Sequence, residues 1–140
     1  MNIGKLLAGV NNKKNTYYNQ QLKKLGLSHG QAFVINVIGQ NVKIQQEELT
    51  KNLEIDKSAV TRILKTLENR KLIQRYTSIQ DRRGYEIHLS DEGQKIYPEV
   101  KQMIDQVSQV LCAGMSEKEQ EELVRLLLKM KNNLEVYNEK

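Results

Sequence analysis

Hydrophobic side chains recur at helical spacing along most of this chain and alternate with polar ones over one short stretch. Intervals of three, four or seven from Ile3 to Leu25 predict a long first helix that ends near Gly26, a residue suited to the left-handed turn that stops a helix. Ser28 and Gln31 have the spacing of a capping box, which opens a second helix through AFVINVIG. Because that segment is apolar nearly all round, we predict that the second helix is buried.

The central stretch, residues 45–90, predicts two short helices joined by a turn. Residues 45–53 place Leu49 and Leu53 four apart on one face of the first of these helices. Asp56 is expected to cap the next helix, its carboxylate accepting from the free amides of the first turn, and that helix extends to Asn69. Its inner stripe consists of Ala59, Val60, Ile63, Leu64 and Leu67.

A hairpin is predicted after that helix. One strand runs from Leu72 to Tyr76, the segment TSIQDRRG forms the tip, and Tyr85, Ile87 and Leu89 alternate with polar residues in the returning strand. Helix, turn, helix and hairpin in this order predict a winged helix-turn-helix. The expected fold class is therefore mainly α with a small β wing.

The last third of the chain predicts two more helices. Ser90 caps the first, SDEGQKIYPEVKQMIDQVSQVL, and Gly114 ends it, while Ser116 and Glu119 form a second capping box before the last helix. The first and last helices of the chain carry apolar stripes with no core of their own, which predicts that they pair with a second copy in a two-fold dimer. The expected dimerisation residues are Ile3, Leu6, Leu7, Val10, Leu123, Leu127, Met130 and Leu134.

The outward side of the helix that follows Asp56 carries hydroxyl and cationic side chains of the kind that contact phosphates and base edges in DNA. These side chains are Lys57, Ser58, Thr61, Arg62 and Lys65. The whole chain has a net charge of +5, yet residues 57–83 hold eight cationic side chains against two acidic ones, so the remainder is slightly acidic. A solvated charged face would explain any one of these residues alone, but their clustering favours a duplex-binding surface.

The hairpin tip adds Arg82 and Arg83 to the expected DNA contacts. An arginine on a protruding loop suits the negative potential of a narrow minor groove, and Asp81 is expected to orient one of the two through a bidentate pair. The predicted division of the chain is residues 1–27 for an N-terminal dimerisation helix, 28–92 for the winged DNA-binding domain, and 93–140 for C-terminal dimerisation helices.

Other classes of function find less support in the sequence. A single cysteine, Cys112, excludes an intrachain disulfide and a multi-cysteine metal site, and the two histidines lie far apart. No cofactor, metal or catalytic residue is expected, because no acid pair, glycine-rich phosphate loop or nucleophile motif stands out, and the chain is not predicted to be an enzyme. No run approaches a membrane span and no secretion signal opens the chain, so we expect a cytoplasmic protein. Nonspecific architectural DNA binding, or a winged-helix module that binds an acidic protein, remain alternatives to a sequence-specific regulator.

Five short motifs occur together in one order. They are Leu27-Ser28-x-x-Gln31, Ser58-Ala59-Val60-Thr61-Arg62, Leu67-Glu68 followed by Leu72-Ile73, Asp81-Arg82-Arg83, and Leu89-Ser90-x-x-Gly93. In this order and spacing the chain resembles the MarR (multiple antibiotic resistance regulator) family of transcription factors over nearly its full length. It departs from the family pattern at Lys71, where glycine is usual and a left-handed backbone would cost roughly 1 kcal/mol, and at Gln45, which replaces the usual Ser or Thr cap.

The resemblance implies a homodimeric repressor of a palindromic operator in double-stranded DNA. Each recognition helix would lie in a major groove, and a wing arginine, Arg83 ahead of Arg82, in the flanking minor groove. The resemblance also implies a small aromatic or anionic effector. It would bind in a crevice between the dimer helices and the DNA-binding lobe and so release the protein from DNA. That crevice would be lined by Tyr17, Tyr18, His29 and Phe33, for which ordinary core packing is the alternative.

Overall fold

The computed structural model describes residues 1–77 and 84–138 of the chain. The described residues form six α-helices, which are α1 (Ile3–Leu22), α2 (His29–Gly39), α3 (Gln46–Leu53), α4 (Lys57–Asn69), α5 (Asp91–Leu111) and α6 (Glu117–Asn138). The strands β1 (Ile44–Gln45), β2 (Ile73–Thr77) and β3 (Tyr85–Leu89) form an antiparallel sheet in the order β1-β3-β2. The predicted fold class, mainly α with a small β wing, is confirmed.

The first of two compact units, Met1–Val107, is built around α2. As its apolar sequence predicts, α2 buries Ala32, Val34, Ile35 and Ile38 almost completely. Its neighbours are α1, α3, α4 and β3. Fully buried side chains from the other elements of this unit include Leu22, Leu49, Leu64, Ile87 and Val100. Because α4 packs its inner side into this core, the core determines which side of α4 faces outward.

Local capping signals in the sequence correspond closely to the helix ends. Ser28 Oγ accepts from the Gln31 N–H at 3.3 Å, and the Gln31 side chain accepts from the Ser28 N–H at 3.1 Å, so the predicted capping box is present. Ser116 and Glu119 make the same reciprocal pair at 3.1 and 2.9 Å. The first helix ends as predicted near Gly26, which has a left-handed φ of 67° after a short 3-10 turn, Lys23–Leu25.

Two details differ from the sequence-based expectation. Asp56 occupies the N-cap position of α4, but its side chain makes no capping hydrogen bond, so the expected carboxylate cap is wrong. Asp56 is exposed, and water can therefore satisfy the first-turn amides in its place. The second difference is β1, which pairs Ile44 with Ile87 and was missed because two residues are too few to show a periodic pattern. Gln45, as expected of a glutamine, precedes α3 without a side-chain cap.

The start of α5 holds the turn between α4 and β2. Lys71 adopts a left-handed φ of 63°, the conformation whose cost the sequence anticipates for a residue other than glycine. The Lys71 carbonyl accepts from Ser90 Oγ at 2.6 Å, and the Leu72 carbonyl accepts from the Ser90 N–H at 3.0 Å. Ser90 Oγ also accepts from the Gly93 N–H at 3.1 Å, which confirms the predicted cap of this helix.

The second compact unit, Ser108–Lys140, contains the last turn of α5, the turn through Gly114, and α6. None of the described residues of α6 is buried, and Val124, Leu134 and Tyr137 are 56%, 64% and 79% exposed. The unit boundary does not coincide with the three-part division proposed from sequence, because α1 and most of α5 belong to the first unit. The roles assigned to those three parts stay predictions.

The close approach of α5 to the α4–β2 turn gives a stability prediction. A β-carbon at Gly93 would lie 2.1 Å from the Leu72 carbonyl oxygen, so Gly93→Ala forces backbone to move. We expect it to lower the free energy of unfolding by about 2 kcal/mol, measured by urea denaturation. Gly9→Ala is the matched control, because a β-carbon there meets nothing within 4 Å and alanine favours a helix. Equal urea midpoints for the two variants would contradict the close contact.

Candidate nucleic-acid interface

The outer side of α4 displays all five of the side chains predicted on it. Lys57, Ser58, Thr61, Arg62 and Lys65 are exposed, and at 100° per residue they occupy about 140° of the helix circumference. On the opposite side Val60, Leu64 and Leu67 are fully buried, with Ala59 and Ile63 half-buried. The separation of the two sides is therefore complete, and packing against the core fixes the cationic side toward solvent.

The cations on this side of α4 are not neutralised within the described part of the chain. No described carboxylate forms an ion pair with Lys57, Arg62 or Lys65, although other lysines pair readily, as Lys95 does with Glu92 at 3.2 Å. Their charge is thus available to an anionic partner. We call this surface, made of Lys57, Ser58, Thr61, Arg62 and Lys65, the α4 outer face.

Arg70 belongs to the cationic segment found in the sequence but has a structural role. Its Nη1 donates to the Gly26 carbonyl at 2.6 Å and its Nη2 donates to the Leu25 carbonyl at 3.4 Å. These bonds satisfy carbonyls at the end of the 3-10 turn after α1. Arg70 therefore ties the end of α4 to the turn between α1 and α2 and does not extend the α4 outer face.

Arg75 also turns toward the protein. Its Nε donates to Glu68 Oε2 of α4 at 2.5 Å, and its guanidinium carbon lies 5.2 Å from the centre of the Tyr85 ring on β3. One side chain on β2 thus contacts both α4 and the returning strand. Arg75 positions the hairpin against α4, a role that a count of charges along the sequence does not reveal.

Gln46, at the start of α3, is a neighbour of the α4 outer face that the sequence pattern missed. Its Nε2 donates to Thr61 Oγ1 at 3.3 Å. A cleft of about 570 Å³ lies beside it, lined also by Lys57, Gly84 and Tyr85 among others. The two partners are fifteen residues apart and on different helices. No local signal in the sequence therefore indicates the contact.

The wing is described only at its base. β2 and β3 pair in register from Ile73 opposite Leu89 to Thr77 opposite Tyr85, as predicted for a hairpin. The Tyr76 and His88 rings meet edge to face with centres 5.2 Å apart. The predicted tip residues Asp81, Arg82 and Arg83 lie outside the described residues.

The four residues assigned to an effector site lie near one another but do not share one surface. His29 and Phe33 line a crevice of about 820 Å³ between α1, α2 and the α3–α4 pair. Tyr18 is buried behind Phe33, with ring centres 5.1 Å apart, and burial raises the pKa of its hydroxyl. Tyr17 is half-buried against the core and is not among the residues that line the crevice.

Cationic, acidic and uncharged polar side chains all face this crevice. Lys14 and Asp56 are among its lining residues, and His29 Nδ1 lies 3.3 Å from Asn19 Oδ1. Asn36 also lines it, and its buried Oδ1 accepts no hydrogen bond from the described residues. A buried acceptor without a donor calls for a specific explanation, and a bound molecule is one.

The residues predicted to form a dimer are largely uncovered in a single chain. On α1, Ile3, Leu6, Leu7 and Val10 are 42% to 61% exposed. On α6, Leu127 and Leu134 are 41% and 64% exposed, while Leu123 and Met130 are half-buried. Exposed apolar surface on this scale is typical of an interface with another protein chain.

The described residues form neither a metal-ligand cluster nor a helix suited to a bilayer. No three or more of their His, Cys, Asp and Glu side chains gather as they would around a metal ion. None of their helices combines the length and the apolar character needed to cross a bilayer.

Comparison with known proteins places this geometry in context. A model of the MarR family matches residues 27–85. The chain is 32% identical over 117 residues to the HTH-type transcriptional regulator MgrA of Staphylococcus aureus, a match that covers 83% of this chain and 78% of that protein.

Solved structures resemble nearly the whole chain. A mutant MarR from E. coli complexed with operator DNA has a TM-score of 0.82 at 29% identity, and the match covers 91% of this chain and 92% of that one. The S. aureus MepR–DNA complex has a TM-score of 0.89 at 24% identity, covering 95% and 98% of the two chains.

Proposed function

Because the chain belongs to the MarR family of DNA-binding transcriptional regulators, we propose that it is a homodimeric repressor that binds a palindromic operator and is released by a small effector. Members of this family are regulators rather than enzymes. The observation that carries the proposal is the α4 outer face, where three cations that pair with no carboxylate of the described residues accompany two hydroxyls on one exposed side of a helix. Such a face fits a major groove, with the cations against phosphates and the polar side chains close to base edges. A cytoplasmic location is part of the proposal, since the DNA is there.

The wing completes the proposed contact. Arg75 fixes the base of the hairpin to α4. By resemblance, Arg82 and Arg83 would lie at the tip of this hairpin, and Arg83 would enter the minor groove next to the recognition helix. Asp81 would orient that arginine.

Arg83→Ala is expected to weaken operator binding and to reduce the salt dependence of binding by about one phosphate-equivalent. An unchanged affinity and salt dependence in the titration would exclude the wing from the proposed DNA contact.

The proposed dimer follows from the uncovered apolar surfaces of α1 and α6. Two copies related by a two-fold axis would place two recognition helices about one turn of the duplex apart, roughly 34 Å, which matches a palindromic site. The apolar residues of α1 and α6 that are exposed in one chain would become buried when they pack against a second chain. A monomer in solution would contradict this part of the proposal.

The proposed effector is a small aromatic anion that also carries a hydroxyl group. Phe33 offers a ring to stack on, Lys14 a cation for a carboxylate, and the Asn36 amide oxygen an acceptor for the hydroxyl. Asp56 lines the same crevice, and its carboxylate would repel the carboxylate of the ligand. The ligand is therefore expected to place its carboxylate beside Lys14.

We predict that Arg62→Ala weakens operator binding about tenfold at moderate salt and lowers the slope of log affinity against log salt by about one. The measurement is a fluorescence anisotropy titration at several KCl concentrations, on a duplex taken from the DNA fragments that the protein retains from its own genome. Lys101→Ala is the control, because Lys101 pairs with Asp105 on α5 and is not part of the α4 outer face.

The same titrations separate the alternatives. Equal competition by random DNA would indicate a nonspecific architectural protein, and failure to bind any duplex at low salt would indicate a module that binds an acidic protein instead. An unchanged affinity and slope for Arg62→Ala would exclude the α4 outer face as the DNA contact.

For the dimer, we predict that Leu127→Lys weakens association about 100-fold, because an unpaired ammonium group would enter an apolar interface. Sedimentation equilibrium measures the dissociation constant. Asn132→Lys places the same side chain on the polar side of α6 and is expected to leave it unchanged. Equal dissociation constants for the two variants would exclude this surface of α6 from the interface.

For the effector, we predict that para-hydroxybenzoate raises the thermal unfolding midpoint and binds more tightly than benzoate, which lacks the hydroxyl. Lys14→Ala should weaken this binding about tenfold by removing a charged partner, whereas Lys13→Ala, at an exposed residue outside the crevice lining, should not. No thermal shift with millimolar para-hydroxybenzoate would overturn the proposed ligand class.

A further inference from the structure

The contact between Gln46 and Thr61 determines which way the glutamine amide points. Thr61 Oγ1 donates its single hydrogen to the Lys57 carbonyl at 2.9 Å. The same oxygen can then only accept from Gln46, so the group that faces it must be the amide nitrogen, at 3.3 Å. The carbonyl oxygen of Gln46 must therefore face away from Thr61. The Lys57 carbonyl of α4 thus orients the Thr61 hydroxyl, and that hydroxyl orients the Gln46 amide.

What remains of the Gln46 amide is a donor and an acceptor side by side. One N–H is used by Thr61, and the second N–H and Oε1 form no further hydrogen bond to the described residues. Thr61 is part of the α4 outer face, and Gln46 is half-buried against it at the edge of the cleft toward the hairpin. The amide is therefore held in place on the surface proposed to enter the major groove.

We propose that Gln46, oriented by Thr61, recognises one adenine in each half-site of the operator. Adenine alone presents an N7 acceptor next to an N6 amino donor in the major groove, and a carboxamide matches both atoms at once. Guanine presents two acceptors at the same place and leaves Oε1 opposed to another oxygen. The inference rests on the proposed function, since it assumes that the α4 outer face binds a major groove.

The division of labour between the two residues is specific. Gln46 contacts the base, and Thr61 is a positioning residue that fixes the amide and keeps its free N–H and Oε1 turned outward. A bidentate amide–adenine pair discriminates against other bases by on the order of tenfold to 100-fold. Loss of the Thr61 hydroxyl should reduce that discrimination at the same base, while the cations of the α4 outer face keep most of the overall affinity.

The test is selection from random duplexes followed by competition titrations. The wild-type protein should select adenine at one symmetric position of each half-site, preferred about tenfold or more over the other bases. Gln46→Ala should lose the preference at that position and keep the rest of the consensus. Thr61→Val should lose it at the same position, and Thr61→Ser, which keeps the hydroxyl, should retain it. The double variant should lose no more than Gln46→Ala alone.

Controls separate this inference from folding and from the proposed function. Gln102→Ala, at an exposed glutamine of α5, should select the wild-type consensus, and thermal unfolding confirms that each variant is folded. A wild-type protein that selects no consensus would overturn both the proposed function and this inference. A clear wild-type consensus that Gln46→Ala reproduces, with or without a uniform loss of affinity, would overturn the inference alone. Loss at different positions for Gln46→Ala and Thr61→Val would do the same.

Discussion

The winged region depends on one junction, where the first turn of α5 closes over the turn between α4 and β2. Ser90 donates to two successive carbonyls, those of Lys71 and Leu72, and its hydroxyl also caps α5 through Gly93. Because only a glycine permits this approach, α4, β2 and α5 meet at a single corner. The Leu89-Ser90-x-x-Gly93 motif is thus explained by geometry: serine supplies the bonds and glycine supplies the space. The left-handed Lys71 adds local strain that the bonds to Ser90 offset.

Elements with local signals were predictable from sequence, and contacts between distant residues were not. The two capping boxes, the helix stop at Gly26 and the buried α2 all follow from residues within a few positions of one another. The inner and outer sides of α4 follow from helical periodicity in the same way. The pairing of β1 with β3, and the link from Gln46 to Thr61, join segments whose sequences carry no mutual signal. Asp56 shows the opposite error, since a favourable residue type stands at a cap position without making the bond.

Charge along the sequence is a poor guide to charge on a surface. Arg70 and Arg75 both add to the positive charge of the basic segment. Arg70, however, binds carbonyls at the end of the 3-10 turn, and Arg75 pairs with Glu68 of α4. Both stabilise the framework that presents the α4 outer face. Of the described cations in this segment, Lys57, Arg62 and Lys65 remain for DNA on one side of α4, held there by the core behind it, while Lys71 lies in the turn that follows. Their position, rather than their number, favours a duplex as the partner.

The proposed effector crevice and the α4 outer face are two sides of the same helix. Asp56, Ala59 and Ile63 contribute to the crevice lining, while Thr61 and Arg62 face outward. A helix of this length moves as a rigid rod about 10 Å across, so a displacement at its inner side is carried to its outer side without any longer path. An occupant that widens the crevice would therefore shift the α4 outer face against the groove. Since groove contacts require hydrogen-bond geometry within a few tenths of an ångström, a small shift is sufficient to weaken binding.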